Sequence, residues 1–160
     1  MAHFPSKEIQ AEVFTIRKVK PSDLKNIVEI ENKSFNAYPL KYKNFWYLMK
    51  HANCDFIVVE VGSRIVGYAI TLYKKNISTA RIYSIAVDPD FRNRSFGDTL
   101  LVKLQDLAVY RKCNGIRLEV DSVNLSAIRF YEKNGFQRNG EMLHYYGHNK
   151  HALRFFRKLP

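Results

Sequence analysis

From Arg81 to Phe136 the spacing of apolar residues alternates between two and 3.6, and this alternation constrains the fold more than any other feature. Arg81–Val87 has a strand pattern ending at Asp88-Pro89. Residues 97–112 carry the longest helical stripe, Phe96, Leu100, Leu104, Leu107 and Ala108 with Leu101 alongside, and Gly115 reads as its C-terminal stop. Ile116–Val120 is again a strand, and Asn124–Lys133 a second helix ending at Asn134-Gly135. A long helix between two strands is a crossover, which places those strands in one sheet with helices against its faces.

The flanking segments supply hairpins. Val13–Arg17 alternates as a strand, and Pro21 then opens a helix in whose first turn its missing N–H costs nothing. Leu24, Ile27, Val28 and Phe35 fall on one face of that helix, and Glu31 lies on the same face. A carboxylate in register with apolar residues marks either the rim of a site or the edge of the stripe. After Pro39, the residues Tyr42, Phe45, Trp46 and Met49 make a second amphipathic helix. Phe56–Val61 and Ile65–Tyr73 are strands joined by a Gly62-Ser63-Arg64 turn, and two more strands lie near Phe136–Tyr145 and His151–Leu159. The order β-α-α-β-β-β-α-β-α-β-β predicts an α/β (α+β) domain with one mixed, mostly antiparallel sheet of about six to seven strands and about four helices.

At 160 residues, 46% of them hydrophobic, the chain suits one domain over residues 13–160 with a sizeable core, and residues 1–12 read as a loose leader. No run reaches the roughly 18–20 apolar residues of a membrane span, and MAHFPSKEIQ has no apolar signal core. Two cysteines, Cys54 and Cys113, are too few for a disulfide framework. The expectation is a soluble, cytoplasmic protein.

The net charge of +11 is concentrated: residues 17–50 carry an excess of +5 and residues 137–160 an excess of +4. Those segments either attract an anion or form a solubilising surface. No zinc-finger spacing, basic zipper or RNA-binding sheet motif accompanies them, so no nucleic-acid partner is implied.

Two stretches carry chemistry. Ile85-Ala86-Val87-Asp88-Pro89-Asp90-Phe91-Arg92-Asn93-Arg94-Ser95-Phe96-Gly97-Asp98 runs from a strand through an Arg-rich turn into the long helix. Unpaired N–H groups at a helix start favour an anion, and Arg92 and Arg94 strengthen the field, which suits a phosphate or pyrophosphate; the alternative is an ordinary turn. In Leu118–Phe136, alternation puts Glu119 on the face opposite Leu118 and Val120, Asn124 suits a cap or a ligand amide, and Tyr131 lies about two turns into the helix. A carboxylate and a phenol on successive elements suit a base and an acid, or else a solvated strand residue and a core aromatic.

The order IAVDPxxRxxxxGxxLL, LEVxxxNxxAIxxYEKNGF, then Tyr145-Tyr146 resembles the GNAT (Gcn5-related) N-acetyltransferase superfamily, within it the RimI-type and Ard1-like Nα-acetyltransferases. The likeness runs from about Val13 to Leu159, and Glu31 through Phe35, Tyr38-Pro39 and Phe45-Trp46 are similar to that subgroup's substrate-side helices. It implies a GNAT domain taking acetyl-CoA as co-substrate, with Ile85, Ala86 and Val87 along the pantetheine arm. Arg92, Asn93, Arg94, Ser95, Phe96, Gly97 and Asp98 would wrap the pyrophosphate, and Asn124 would bond to the cofactor. Glu119 matches the general base and Tyr131 the acid that protonates the leaving thiolate. Glu31, Phe35, Tyr38, Tyr145 and Tyr146 would face the acceptor. The implied acceptor is a protein or peptide N-terminus, acidic after its first residue or ribosomal; alternatives are a lysine or polyamine acceptor, or a non-catalytic acyl-CoA-binding module.

One position departs from the signature. Its first glycine is Ser95 here, where glycine allows close approach to phosphate or a positive φ. No covalent intermediate is required, which leaves Cys54 and Cys113 as plain thiols. His144, His148 and His151 flank Gly147 and Asn149; a hairpin turn there would point the three rings apart, so no metal is expected.

Overall fold

The computed structural model describes residues 13–160; the expected leader, 1–12, lies outside them. Seven strands and four helices follow in the order β1 (Phe14–Lys18), α1 (Leu24–Ser34), α2 (Tyr42–His51), β2 (Cys54–Val61), β3 (Arg64–Leu72), β4 (Thr79–Val87), α3 (Phe96–Tyr110), β5 (Gly115–Asp121), α4 (Leu125–Lys133), β6 (Gln137–Gly147) and β7 (Lys150–Lys158). They build one sheet in the order β1-β2-β3-β4-β5-β7-β6. Every neighbouring pair is antiparallel except β4 with β5, which the α3 crossover makes parallel. This is the mixed sheet that the alternation of periods predicts.

The central strands read as continuous apolar runs because both of their faces are covered. In β2, Ile57 and Val59 pack beneath α3 with Leu100, Leu101 and Leu104, while Phe56 and Val58 face α1 and α2 with Ile27, Ile30 and Phe45. Arg17 anchors the β1 side. Its guanidinium bonds both oxygens of buried Asp23 at 2.8 and 2.9 Å and Glu60 at 2.9 Å. No helix among the described residues is long and apolar enough to cross a membrane.

Four local expectations change. Pro21 sits in a separate 3₁₀ turn, Pro21–Asp23, ahead of α1. Phe35 lies past the helix end in extended backbone, because α1 stops at Ser34. In α2 the buried residues are Phe45 and Leu48, while Tyr42 and Trp46 face outward with the Lys50 ammonium 5.2 Å from the Trp46 ring centre. Gly115 is not the stop of α3: Lys112 takes the left-handed turn (φ 64°) and Gly115 opens β5. Its lack of a side chain serves packing, since a Cβ there would meet the Phe156 ring at 2.5 Å.

Gly67 in β3 is similarly enclosed: an added Cβ would stand 2.9 Å from Val59 Cγ1 and 3.1 Å from the Ala86 carbonyl oxygen. The carbonyl belongs to β4 and cannot rotate away. Gly67→Ala should therefore lower stability by about 1–3 kcal/mol, read as a fall in the urea midpoint with an unchanged slope.

Candidate active site

β4 and β5 bond only at their start, Thr79, Ala80 and Arg81 against Gly115, Ile116 and Arg117. Beyond that point no ladder joins them. β4 carries a bulge there: Ile70 of β3 stands opposite Ser84 and Thr71 opposite Ile82, so Tyr83 is the extra residue. A bulge bends its strand and sharpens the twist, and the two strands part at this place. The resulting cleft of about 700 Å³ is walled by β4 (Arg81 to Ile85), β5 and the turn after it (Glu119 to Asn124), Tyr131 of α4, Tyr145 and Tyr146 of β6, and the stretch from Glu31 to Tyr38. Chain segments more than 100 residues apart thus meet around one opening.

Glu119 stands on the floor. Its side chain is 5% exposed and is ringed by three guanidiniums: Arg81 Nε donates to Oε2 at 3.0 Å, Arg117 donates to Oε1, and Arg154 Nε stands 3.6 Å from Oε1. Arg117 is two residues away on the same strand face, and Arg154 is its direct cross-strand partner. Reading β5 alone finds Glu119 beside Arg117 on a polar face; Arg81 and Arg154 are invisible until the strands are ordered. Tyr131 is buried in the wall. Loss of hydration, with a smaller push from Tyr146, holds its hydroxyl above the ordinary phenol range, and burial pushes Tyr146 up to about 12. Asn124 caps α4, its Oδ1 accepting from the Ala127 N–H at 3.2 Å, and also lines the cleft.

Glu31 lines the cleft from a buried position and is not at the edge of its stripe. It is 3% exposed, accepts from the Leu40 N–H at 2.9 Å and from the Tyr68 hydroxyl, and Tyr68 in turn meets Ser84 Oγ at 2.8 Å. Burial raises its carboxyl above the usual carboxylate range despite those two bonds. It pins the loop after α1 to β3 and β4 while lining the cleft. Phe35 and Tyr38 line that same loop's side of the cleft.

The turn between β4 and α3 lies outside this lining. Asp88 accepts the Asp90 N–H at 3.0 Å and pairs with Arg64 at 3.1 Å and Lys33 at 3.6 Å. The guanidiniums of Arg64 and Arg94 each stand 4.9 Å from the Phe91 ring centre. Asn93 (φ 61°) and Ser95 (φ 63°) are both left-handed, and backbone turns of this hand direct successive N–H groups toward one side, as in anion-binding nests. With the start of the 15-residue helix α3 directly behind, this backbone fits a diphosphate. Arg92 reaches back toward the Val87 carbonyl (3.4 Å) and the Ser34 hydroxyl (3.5 Å). The Asp98 carboxylate is turned to Asn134 Nδ2 (3.0 Å) and Lys133 (3.2 Å), tying α3 to α4. Ile85 lines the cleft, whereas the side chains of Ala86 and Val87 pack into the two cores, leaving main-chain groups as their means of contact.

The three histidines behave differently from expectation. Their rings cluster, His144 lying parallel to His148 at 5.6 Å and edge-on to His151 at 4.9 Å. The reason is hydrogen bonding within the hairpin: the His144 N–H donates to His151 Nδ1 (2.9 Å) and the Asn149 N–H to His144 Nδ1 (3.0 Å). Among the described residues no group of three or more His, Cys, Asp or Glu side chains is placed to hold a metal ion.

The model of the acetyltransferase (GNAT) family matches residues 22–136. The chain belongs to the GNAT family. An uncharacterized N-acetyltransferase of Methanocaldococcus jannaschii is 34% identical over 79% of this chain, which spans 62% of that longer protein. The [ribosomal protein bS18]-alanine N-acetyltransferase of Escherichia coli K12 is 30% identical over 82% of this chain and 86% of its own length. Ard1 from Thermoplasma volcanium has a crystal structure that covers 92% of this chain and 98% of its own, with a TM-score of 0.85 at 28% identity. This GNAT protein is accordingly an acetyl-CoA-dependent N-acetyltransferase.

Two predictions follow from these side chains. Left-handed backbone costs a non-glycine residue about 1–2 kcal/mol, partly offset by the greater freedom of glycine when unfolded. Ser95→Gly should raise stability by about 0.5–1 kcal/mol and keep or tighten acetyl-CoA binding; clear loss of affinity in calorimetry would misplace this loop. A carboxyl raised on folding contributes stability that is complete below its unfolded pKa and is lost as pH rises through the folded value. Glu31→Gln, which keeps the acceptor for Leu40, should therefore gain stability relative to the native chain as pH rises above the ordinary carboxylate range, measured as the difference in urea midpoints; a difference that stays constant as pH rises would contradict the assignment.

Proposed function

We propose that this acetyltransferase acts on the α-amine of a protein N-terminus. The observation that carries the reading is the junction of Glu119, Tyr131, Tyr145 and Tyr146 in one cleft where β4 and β5 part. The relatives that act on the ribosomal protein bS18 support an N-terminal acceptor of that kind.

The backbone turn from Asn93 to Asp98, with Arg92 and Arg94, would hold the diphosphate, and the unpaired edge of Ile85–Val87 the pantetheine arm. Acetyl-CoA, when bound, supplies the thioester carbonyl that the amine attacks. An α-amine titrates near 7.7–8.0, against about 10.4 for lysine, so only a weak proton acceptor is needed. Glu119 accepts from guanidiniums on both oxygens, which makes a bridging water the route by which the amine's proton would reach it. A main-chain N–H at the end of β4 can stabilise the oxyanion. Tyr131, kept protonated by burial, can donate to the departing thiolate.

Tyr145 and Tyr146 pack edge to face at 4.8 Å and wall the acceptor side. Three guanidiniums, Arg81, Arg117 and Arg154, face the single carboxylate of Glu119, while Lys150 and Asp121 line the cleft as one charge of each sign. The positive excess on the floor suits acidic residues after the acceptor's first position better than a polycation.

Glu119→Gln should lower kcat by about 100-fold and Tyr131→Phe by about tenfold, with the acetyl-CoA dissociation constant within about twofold of native. Unchanged turnover in both would take these residues out of the mechanism. In a thiol-release assay with a peptide panel, free N-termini followed by Asp or Glu should be used best. Their advantage should shrink with added salt. Acetylation of N-terminally blocked, lysine-containing peptides at equal rates would overturn the α-amine reading.

A further inference from the structure

Arg81 is the last residue of β4 bonded to β5, at the apex where the strands part. Its guanidinium is half-buried and makes two directed bonds, Nε to Glu119 Oε2 at 3.0 Å and Nη2 to the Tyr145 hydroxyl at 2.9 Å, while its plane lies 5.9 Å from the Tyr83 ring centre. The two partners come from different elements, Glu119 from β5 and Tyr145 from β6, which is not β5's neighbour because β7 lies between them. This one guanidinium bonds both Glu119 and Tyr145.

We propose that Arg81 is a positioning residue that fixes the proton acceptor Glu119 and the peptide-groove wall Tyr145 in one frame. The inference rests on the proposed acyl transfer but concerns how its parts are held. The other cations facing Glu119 are Arg117 from β5 itself and Arg154 from β7, both directed at Oε1; the phenols of Tyr145 and Tyr146 face it from β6. Charge neutralisation of Glu119 therefore survives without Arg81. What is lost is the direction of Oε2 and the tether on Tyr145. The planar guanidinium holds both bonds at once because its donors diverge at fixed angles, whereas an ammonium is a single point of charge on a flexible stem. The bulge at Tyr83 stands two residues after Arg81, just past the end of the β4–β5 ladder.

The test is a double-mutant cycle, Arg81→Gln, Tyr145→Phe and the pair, with steady-state KM and kcat for a peptide of free N-terminal Ala followed by Asp. KM for acetyl-CoA is measured in every variant. Arg81→Gln is expected to raise peptide KM and lower kcat, each by roughly tenfold, with acetyl-CoA KM within about twofold. In the double variant peptide KM should rise no further than in Arg81→Gln alone, because both changes cut one tether. Arg81→Lys should recover part of kcat but not peptide KM. Multiplicative effects on peptide KM, or an acetyl-CoA KM rising in step with it, would overturn the proposal. These outcomes are distinct from failure of the underlying reading: native turnover in Glu119→Gln removes the base but leaves the Arg81–Tyr145 coupling readable. If the panel identifies a lysine acceptor, the same cycle is run with that peptide.

Discussion

The parting of β4 from β5 is the constraint on which the site depends. A parallel pair inside a seven-stranded sheet would ordinarily continue its ladder, because an unpaired backbone group costs about as much as a lost hydrogen bond. Here the ladder stops after Arg81 and Arg117, where the Tyr83 bulge bends one strand away. Both flanks remain held. β4 keeps its pairing with β3 up to Val87, and β5 keeps its pairing with β7 from Gly115 to Asp121. The opening is therefore a rigid wedge, with main-chain groups along one wall and Glu119 on the floor. Helices on both faces fix its depth, and the buried Glu31–Tyr68–Ser84 chain fastens the α1 loop over its mouth.

The basic character of the chain acquires a different meaning in three dimensions. Much of the excess in residues 137–160 is committed internally: Arg154 stands beside Glu119, Arg157 bonds Gln105 and the Asn134 carbonyl, and Arg138 pairs with Glu141. In residues 17–50, Arg17 serves Asp23 and Glu60. At the cleft, Arg81, Arg117 and Arg154 outnumber the single charge of Glu119, and Lys150 stands in the lining. A run of cations in a sequence counts charges; the fold decides which of them are already neutralised.

Most of the architecture is legible in the chain because each element has an unambiguous period. The α3 stripe at Leu100, Leu104 and Ala108 and the alternation of β5 follow directly from burial on one side of a helix or strand. The misreadings are local and share a cause. Gly115 looks like a helix stop, yet the Phe156 ring from a strand some 40 residues later explains it. Trp46 looks like core, yet it points about 200° around α2 from Leu48, so burying Leu48 against the sheet turns Trp46 outward. His144, His148 and His151 look splayed, yet backbone N–H groups inside their own hairpin draw the rings together.

The sequence by itself determined the order of elements, the parallel crossover and the placement of a carboxylate and a phenol on successive elements. These depend on spacing within about 20 residues, which local backbone geometry converts directly into direction. Only the tertiary structure decided that three arginines from β4, β5 and β7 surround Glu119, that Glu31 is buried against Tyr68, and that Ser95 is left-handed. The physical reason is that hydrogen bonds and ion pairs act over about 3–4 Å, so their partners are set by which strands lie side by side, and strand order is a property of the folded sheet.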